Sequence, residues 1–398
     1  MRAPLLLAIL GALAGLVGLE IAARIDQQRR CLDHTTGISA RNALYGWGHR
    51  PNASGWLQQC LHDAPEWRTF VHINSLGLHD REIPYARGAA RRILVLGDSF
   101  TEANQVDFES GFVKQLERTL NAPDAPGTRI EVANAGVSGW GTDNAVLFFE
   151  AEGWRYHPDL VILVFNTAND VFENDRDLVT AGALYPDKPY FRLVQGHLVR
   201  THYPLPDQPM TKRAVTSLYQ HLEPYSAFVR QLGDVSFVWR YLQSPVDSAP
   251  GLPPVHPSQV YLRVAPGHWP RAWRVTKGLL LRLRQAVESH GARLVVVVIN
   301  EREEVSATRM QAVIARRPDL QAGVDPDKPN RLITSFLARR GIPTIPLLAG
   351  FRAAFAESGR PGFFEWDIHW TAAGHALAAQ LIEHGLVEQG LVPPGETP

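Results

Sequence analysis

Short runs rich in β-branched residues and Leu recur along the chain from residue 91 onwards, and they constrain the fold more than any other feature. A strand with one solvated face alternates apolar and polar side chains, whereas a strand buried on both faces is apolar throughout. Most of these runs do not alternate, so we predict strands of a parallel sheet that is covered on both sides. The runs are residues 93–96, 130–133, 160–165, 294–299 and 342–347.

Segments with helical spacing separate several of the runs. Residues 111–120 repeat apolar side chains along one helical face, and residues 275–290 do the same ahead of Gly291, which suits a helix C-cap. Alternating strands and helices imply right-handed crossovers that place helices on both faces of the sheet. The predicted fold class is therefore α/β, with three layers in the order α/β/α.

The alternation stops between about residue 171 and residue 273, where the chain is dense in Pro, Tyr, Trp and His. Because an unstructured loop of this length is rare in a compact domain, we expect a large folded insertion. We place the main domain at residues 91–390, with the insertion inside it, and a small irregular or β-rich lead-in at residues 26–90.

Residues 3–23 form an apolar run in which Glu20 is the single charged residue. Crossing the hydrocarbon core takes about 20 such residues, so we predict an N-terminal transmembrane signal anchor at residues 1–25. A cleaved signal peptide is the alternative, because Ala-Leu-Ala at residues 12–14 offers a cleavage site. The run continues well past that site, which favours the uncleaved anchor. Arginines follow the run closely and, by the positive-inside rule, would place that flank in the cytoplasm.

The charges of the 398-residue chain balance, with 40 Lys and Arg against 40 Asp and Glu. Nucleic-acid-binding domains carry clustered Lys and Arg on a basic surface, so no nucleic-acid partner is expected. Only two cysteines are present, which excludes a disulfide-dense scaffold and an iron–sulfur protein. The sequence does not indicate an oligomeric state.

Cys31 and Cys60 are candidates for a disulfide. In an oxidising compartment their bridge would close a loop of about 30 residues and stabilise the fold by about 3 kcal/mol. With His34 and His62 they would instead offer four zinc-type ligands, although a Cys-x-His step is tighter than the usual spacing of structural zinc sites. Two unpaired buried cysteines are the third interpretation, and the sequence leaves the pairing open.

The first aliphatic run ends in Gly97-Asp98-Ser99 and leads towards a helix. A serine at this point lies at the carboxyl end of a strand, where open α/β sheets bind their ligands. It also lies near the positive end of the following helix, where developing negative charge is stabilised. Asp and Ser are ordinary turn and cap residues too, so this segment alone fits a helix cap equally well.

Further polar clusters follow at the ends of successive elements. Gly139 lies in a Gly-rich segment after the second run, where backbone N–H groups are free to face a bound oxygen, and Asn169 follows the third run. Asp367 and His369 precede the last helical segment, and residues two apart in an extended chain point the same way. Asp367 can therefore hold the Nδ1 proton of His369, which leaves Nε2 to take a proton from a serine. Each cluster is common singly, but four together are hard to obtain by chance.

In these residues the main domain, the insertion apart, resembles the SGNH hydrolases, also called the GDSL lipases/esterases. The resemblance implies an SGNH-type, flavodoxin-like α/β/α fold with Ser99 as nucleophile, His369 as base and Asp367 as its acid partner. It also implies an oxyanion hole built from the backbone N–H groups of Ser99 and Gly139 and the side chain of Asn169. No metal and no organic cofactor is expected.

The chain departs from the family pattern in two places. Thr167 stands where the third block commonly carries Gly, and Asp367 and His369 are two residues apart where many members have three. The Asp-x-His-Trp-Thr form resembles the branch found in envelope-polysaccharide acyl-transfer proteins. An anchor before such a domain also resembles bacterial members that face the periplasm. We therefore expect a single-pass protein of the bacterial inner membrane with its catalytic domain in the periplasm.

Two residues compete with these assignments. Ser138 is a second candidate nucleophile, but neither it nor Ser99 lies in the Gly-x-Ser-x-Gly elbow of α/β-hydrolases. His375 is a second candidate base, and its position inside the last predicted helix favours a structural role.

The expected function is that of a serine esterase or acyltransferase that acts through an acyl-Ser99 intermediate. The expected substrates are O-acyl esters, acetyl above all, of cell-envelope carbohydrate. Hydrolysis and transfer differ in whether water or a sugar hydroxyl attacks the intermediate, and the sequence does not distinguish them. The alternatives are a lipase or esterase acting on lipid esters, and a non-catalytic glycan-binding module of an export complex.

Overall fold

The computed structural model describes residues 2–29, 37–61, 64–122, 129–181, 188–203, 255–359 and 362–392, together with scattered positions between 210 and 232. Within these residues the strands are β1 (Ser39–Asn42), β2 (Gly46–His49), β3 (Ser54–Leu61), β4 (Ala64–His72), β5 (Arg91–Gly97), β6 (Ile130–Gly136), β7 (Leu160–Asn166), β8 (Tyr190–Val194), β9 (His197–Thr201), β10 (Arg293–Ile299) and β11 (Thr344–Pro346). The α-helices are α1 (Arg2–Arg29), α2 (Ser99–Glu102), α3 (Phe112–Leu120), α4 (Thr142–Ala151), α5 (Asn169–Glu173), α6 (Arg176–Ala181), α7 (Trp269–Ser289), α8 (Arg302–Val305), α9 (Ala307–Arg316), α10 (Lys328–Arg339), α11 (Leu348–Ser358) and α12 (Ala372–Glu388).

The five predicted strands form one parallel sheet in the order β11-β10-β7-β5-β6. Strand β10 runs beside β7 from Arg293 opposite Leu160 to Ile299 opposite Asn166. Numbered along the chain, the order is 2-1-3-4-5, which is the flavodoxin-like order. The direction of winding reverses between β5 and β7, and open sheets bind ligands at the carboxyl ends of the strands around that point.

Helices cover both faces of the sheet, as predicted. Along β5, Leu94 and Leu96 pack with α4, α7 and α10, whereas Ile93 and Val95 pack with α3, α11 and α12. All four side chains are buried. The aliphatic runs lack polar alternation because neither face of these strands meets water. The three-layer α/β fold is confirmed.

Element ends differ from the predicted ones by a few residues. Strand β11 covers only the middle of its predicted run, and α7 begins at Trp269 rather than near residue 275. Pro270 explains the early start, because proline fits the first turn of a helix, where the backbone N–H groups have no partner within the helix. Helix α7 thus takes its first residues from the predicted insertion, whose described parts also include α6, the hairpin β8–β9 and a 3-10 helix at Pro257–Tyr261.

One helix in the described part of the chain is long and apolar enough to cross a membrane, at Leu6–Asp26 with a mean hydropathy of 2.2. Only 6% of that stretch is buried against the rest of the protein. Its Glu20 carboxylate accepts hydrogen bonds from Arg24 Nε at 2.6 Å and from Ser226 Oγ at 2.7 Å. The acidic group in the apolar run is therefore paired. The helix suits a signal anchor or a membrane span.

Two antiparallel hairpins, β1–β2 and β3–β4, lie between α1 and the parallel sheet along the chain. Cys60 lies in β3 and is not a free thiol. Cys31, His34 and His62 lie outside the described residues, so the pairing of Cys31 with Cys60 stays a prediction.

Candidate active site

The turn after β5 leaves Ser99 at the start of α2. Asp98 caps this short helix, because its Oδ1 accepts a hydrogen bond from Phe100 N at 2.9 Å. Gly97 has no room for a side chain, since a Cβ there would lie 2.2 Å from Thr101 Oγ1. This tight passage from strand to helix brings the Ser99 hydroxyl to the carboxyl edge of the sheet, where it is partly exposed.

Ser99, His369 and Asp367 form a continuous chain of hydrogen bonds. Ser99 Oγ lies 2.7 Å from His369 Nε2, and His369 Nδ1 bonds Asp367 Oδ1. The same carboxylate oxygen accepts a bond from the His369 backbone N at 2.8 Å. An aspartate readily bonds the backbone N–H two residues further on, so the short Asp-x-His spacing brings the two side chains together.

The surroundings of Asp367 favour its ionised form. Burial raises the pKa of this carboxyl, but the hydrogen bonds from His369 and Trp67 outweigh burial and hold the pKa below its usual value. Trp67 Nε1 donates to Asp367 Oδ2 at 2.8 Å. An ionised Asp367 keeps a proton on His369 Nδ1, so that Nε2 is free to accept the proton of the Ser99 hydroxyl.

Gly139 and Asn169 lie at the ends of the strands on either side of Ser99. Gly139 follows β6 with a φ of +75°, a backbone conformation that side chains rarely allow. Asn169 is the first residue of α5, directly after β7, and its side chain is partly exposed. Because β6 and β7 both pair with β5, all three loops meet at the same edge of the sheet.

Glu102, which is not among the residues predicted from the sequence, is a buried carboxylate that connects the loop of Gly139 to α2. It accepts bonds from His49 Nε2 at 2.7 Å and from Ser138 N at 2.6 Å, and from the Ser138 hydroxyl as well. Burial raises the pKa of Glu102, but the charge and hydrogen bond of His49 and the bond from Ser138 outweigh it and lower the pKa to about 2. Its position three residues after Ser99 could have drawn attention to Glu102. Its partner His49 could not be predicted, because it lies 53 residues away along the chain.

A group of buried acids lies beneath the site. Asn166 Nδ2 donates to Glu301 Oε1 at 2.9 Å and approaches Asp98 Oδ2 at 3.4 Å. Asp170 accepts bonds from Asn166 N at 2.7 Å and from Thr142 Oγ1 at 2.6 Å. Burial is the main cause that raises the pKa of Asp98 to about 6 and the pKa values of Asp170 and Glu301 to about 8. In the described ranges no group of three or more His, Cys, Asp or Glu is arranged to hold a metal ion.

The two rival residues have other partners. Ser138 donates its hydroxyl to Glu102, and Trp47 Nε1 bonds its carbonyl at 2.9 Å. His375 is fully buried in α12, where its Nδ1 accepts a bond from Phe112 N at 3.3 Å. Burial lowers the pKa of His375 to about 3, so this ring stays neutral. Both contacts are those of structural residues.

Comparison with known proteins matches residues 95–377 to the GDSL-like lipase/acylhydrolase family. Among solved structures, the chain is similar to LAE5, an α/β hydrolase enzyme from the metagenome of Lake Arreo, Spain, at 16% identity and TM-score 0.39, with 76% of this chain and 96% of that chain covered. It is also similar to Axe2, an acetylxylan esterase from Geobacillus stearothermophilus, at 15% identity and TM-score 0.40, with 75% of this chain and 95% of that chain covered. Among curated proteins no match was found. The family match includes every predicted catalytic and oxyanion residue and excludes both N-terminal hairpins.

Proposed function

The chain belongs to the GDSL-like lipase/acylhydrolase family and is a serine hydrolase of the esterase type, and from this premise we propose that it removes or transfers O-acyl groups of cell-envelope carbohydrate. Ser99, His369 and Asp367 are the proposed nucleophile, base and acid partner. The hydrogen-bonded chain from Ser99 Oγ through His369 to Asp367 is the observation that carries the proposal.

The proposed reaction passes through an acyl-serine intermediate. His369 Nε2 takes the Ser99 proton as Oγ attacks the ester carbonyl, and Asp367 stabilises the charged imidazole. The backbone N–H groups of Ser99 and Gly139 and the amide of Asn169 would stabilise the tetrahedral oxyanion, each contributing about 3–4 kcal/mol to lowering the barrier. His369 then protonates the leaving alkoxide, and water or a sugar hydroxyl releases the acyl group.

A carbohydrate ester, acetyl above all, is the substrate class that we favour. Trp366 adjoins Asp367, and its side chain is 56% exposed, unlike the buried Trp370 on the other side of His369. An exposed indole next in the chain to the proposed acid partner supports a sugar ligand, because tryptophan combines a large apolar surface with a polar N–H group. The Asp-x-His-Trp-Thr form supports the same class, through its resemblance to envelope-polysaccharide acyl-transfer proteins.

We place the catalytic domain on the periplasmic side of a bacterial inner membrane, held by α1. The length and apolar composition of Leu6–Asp26 support the anchor. The side of the membrane follows from the resemblance to anchored bacterial members of the family. Protease added to sealed inner-membrane vesicles of known orientation tests this. The domain should be cut only in vesicles whose periplasmic face is outside.

The first experiment is labelling of the full chain in detergent with a fluorophosphonate, followed by peptide mass spectrometry. We expect an adduct on Ser99 that is absent from Ser99→Ala, because only an activated serine reacts. The labelled protein should also lose turnover of p-nitrophenyl acetate. A folded protein that takes up no label would contradict the catalytic role of Ser99 and favour the glycan-binding module.

A second measurement separates the substrates. Purified acetylated and deacetylated envelope glycan would be supplied as donor and acceptor, and released acetate and new sugar esters would be counted. Release of acetate into water indicates an esterase, and new sugar esters indicate a transferase. Activity on long-chain lipid esters alone would overturn the carbohydrate assignment.

A further inference from the structure

We propose that Glu66 and Trp67, which lie on β4 outside the segment matched by the family, are positioning residues that set Asp367 for its bond with His369. This inference rests on the triad named in the proposed function. It makes the hairpin β3–β4 part of the catalytic centre, rather than a spacer between the anchor and the enzyme.

Trp67 and Glu66 contact the acid and its backbone directly. Trp67 Nε1 donates to Asp367 Oδ2 at 2.8 Å. Glu66 accepts bonds from the backbone N of Trp366 at 2.8 Å and from the backbone N of Asp367 at 2.9 Å, one on each carboxylate oxygen. The segment that carries Asp367 is therefore bound at three points by two adjacent residues of the hairpin.

The two oxygens of Asp367 have separate partners. Oδ1 accepts from the ring and the backbone of His369, while Oδ2 accepts from Trp67. A carboxylate held at one oxygen alone can rotate about its side-chain torsion, whereas one held at both is fixed. Trp67 thus determines which way Oδ1 points.

The other contacts of the turn hold its backbone and the Glu365 side chain rather than Oδ2 of Asp367. Glu365, Trp366 and Ile368 are exposed, so the turn is not held by burial of its own side chains. Arg302 Nη1 bonds the Glu365 carbonyl at 2.9 Å, and Arg309 Nη2 pairs with the Glu365 carboxylate at 2.5 Å. Arg302 fixes a carbonyl of the turn, whereas Trp67 reaches the Asp367 carboxylate itself from outside the turn.

The hairpin is built to present Trp67 rigidly. Strand alternation points Trp67, Thr69 and Val71 inward, and Val71 is buried in a small core that includes Leu57 of the paired strand. The Thr69 hydroxyl also donates to the backbone carbonyl of Asn104. These contacts fix the strand from which the indole reaches Asp367.

The decisive variant is Trp67→Phe, which keeps an aromatic ring and removes the N–H donor. We expect fluorophosphonate to label Ser99 of the full chain in detergent about tenfold more slowly, the usual size of effect when a hydrogen bond that orients an active-site group is lost. With one donor fewer, Asp367 pulls harder on the His369 proton, so the acid limb of the rate–pH profile should move to higher pH. Glu66→Gln, which loses one acceptor, should slow labelling less.

Arg68→Gln is the matched control, since Arg68 is the next residue on β4 and its exposed guanidinium stacks on Trp56 instead. It should leave both the rate and the pH profile unchanged. A merely structural role for Trp67 would slow labelling equally at every pH, and that result would overturn the inference. So would a Trp67→Phe rate equal to that of the unmodified protein. Labelling needs no glycan, so failure of the carbohydrate assignment would leave this result standing.

Discussion

At the scale of single residues, the site depends on the lack of a side chain at Gly97 as well as on the side chains that form it. A Cβ at Gly97 would meet Thr101 Oγ1 at 2.2 Å and Val164 Cβ at 3.1 Å, so α2 or its contact with the sheet would have to shift. Ser99 is two residues further on, and any shift of this turn moves its hydroxyl away from His369. We therefore expect the glycine to control the geometry of the proposed nucleophile without taking part in the chemistry.

Gly97→Ala tests whether the glycine determines the position of Ser99. We expect a loss of about 1–3 kcal/mol in the free energy of unfolding, the usual penalty for overpacking, and turnover of p-nitrophenyl acetate should fall at least tenfold because Ser99 is displaced. Gly88→Ala is the control, because a Cβ there meets nothing within 4 Å. Normal turnover by Gly97→Ala would show that the turn can relax around the added methyl group.

At the scale of elements, two hairpins outside the family-matched segment approach the site from different sides. Hairpin β3–β4 reaches Asp367 through Trp67, while β2 supplies His49 to Glu102 and Trp47 to the carbonyl of the residue before Gly139. Glu102 then holds the loop that contains Gly139. Both halves of the proposed site, the triad and the oxyanion loop, are therefore supported by the lead-in.

Glu102→Gln should loosen the oxyanion loop. A neutral amide cannot accept equally from His49 and from both groups of Ser138, so we expect kcat for p-nitrophenyl acetate to fall about tenfold, a fraction of the loss seen when an oxyanion donor is removed entirely. Burial raises the pKa of Glu102, but its partners lower it to about 2, so the effect should not depend on pH between about 5 and 9. Glu109→Gln, an exposed neighbour paired with Arg118, is the control. Unchanged kcat in Glu102→Gln would remove Glu102 from the support of the loop.

Much of this arrangement was predictable from short-range patterns. The five strands were read from aliphatic runs, because burial on both faces leaves a signal in consecutive residues. Ser99 and His369 were read from strand ends and a local motif. Trp67 was not, because its partner Asp367 lies 300 residues away and nothing in an isolated Trp indicates a hydrogen bond to a distant carboxylate. Contacts between elements that are far apart along the chain leave no local pattern.

At the scale of the whole molecule, the buried acids make stability depend on pH. Burial raises the pKa of Asp98 to about 6, of Glu304 to about 7, and of Asp170 and Glu301 to about 8. Unfolded carboxyl groups titrate at about pH 4, so above about pH 4 and up to about pH 8 these four groups bind more protons in the folded protein than in the unfolded chain. The contribution of these four groups to the free energy of unfolding therefore falls as the pH rises through this window.

Thermal unfolding of the full chain in detergent should show this directly. We expect a higher midpoint at about pH 5 than at about pH 8.5, and a smaller difference in Glu301→Gln, whose amide has the same shape and does not ionise. The amide oxygen of that variant can still accept from Asn166, so the hydrogen bond is retained. A midpoint that rises between these two pH values would show that other groups dominate.

The short connection after α1 limits the distance between this helix and the domain that follows it. Residues 30–36 join Arg29 to Gly37, and even a fully extended chain of that length spans no more than about 28 Å. With α1 in a bilayer, as proposed, this connection keeps the sheet and Ser99 close to the lipid surface. On the proposed anchor and carbohydrate substrate, we expect the enzyme to act on polymer close to the membrane and to miss chains released beyond that distance.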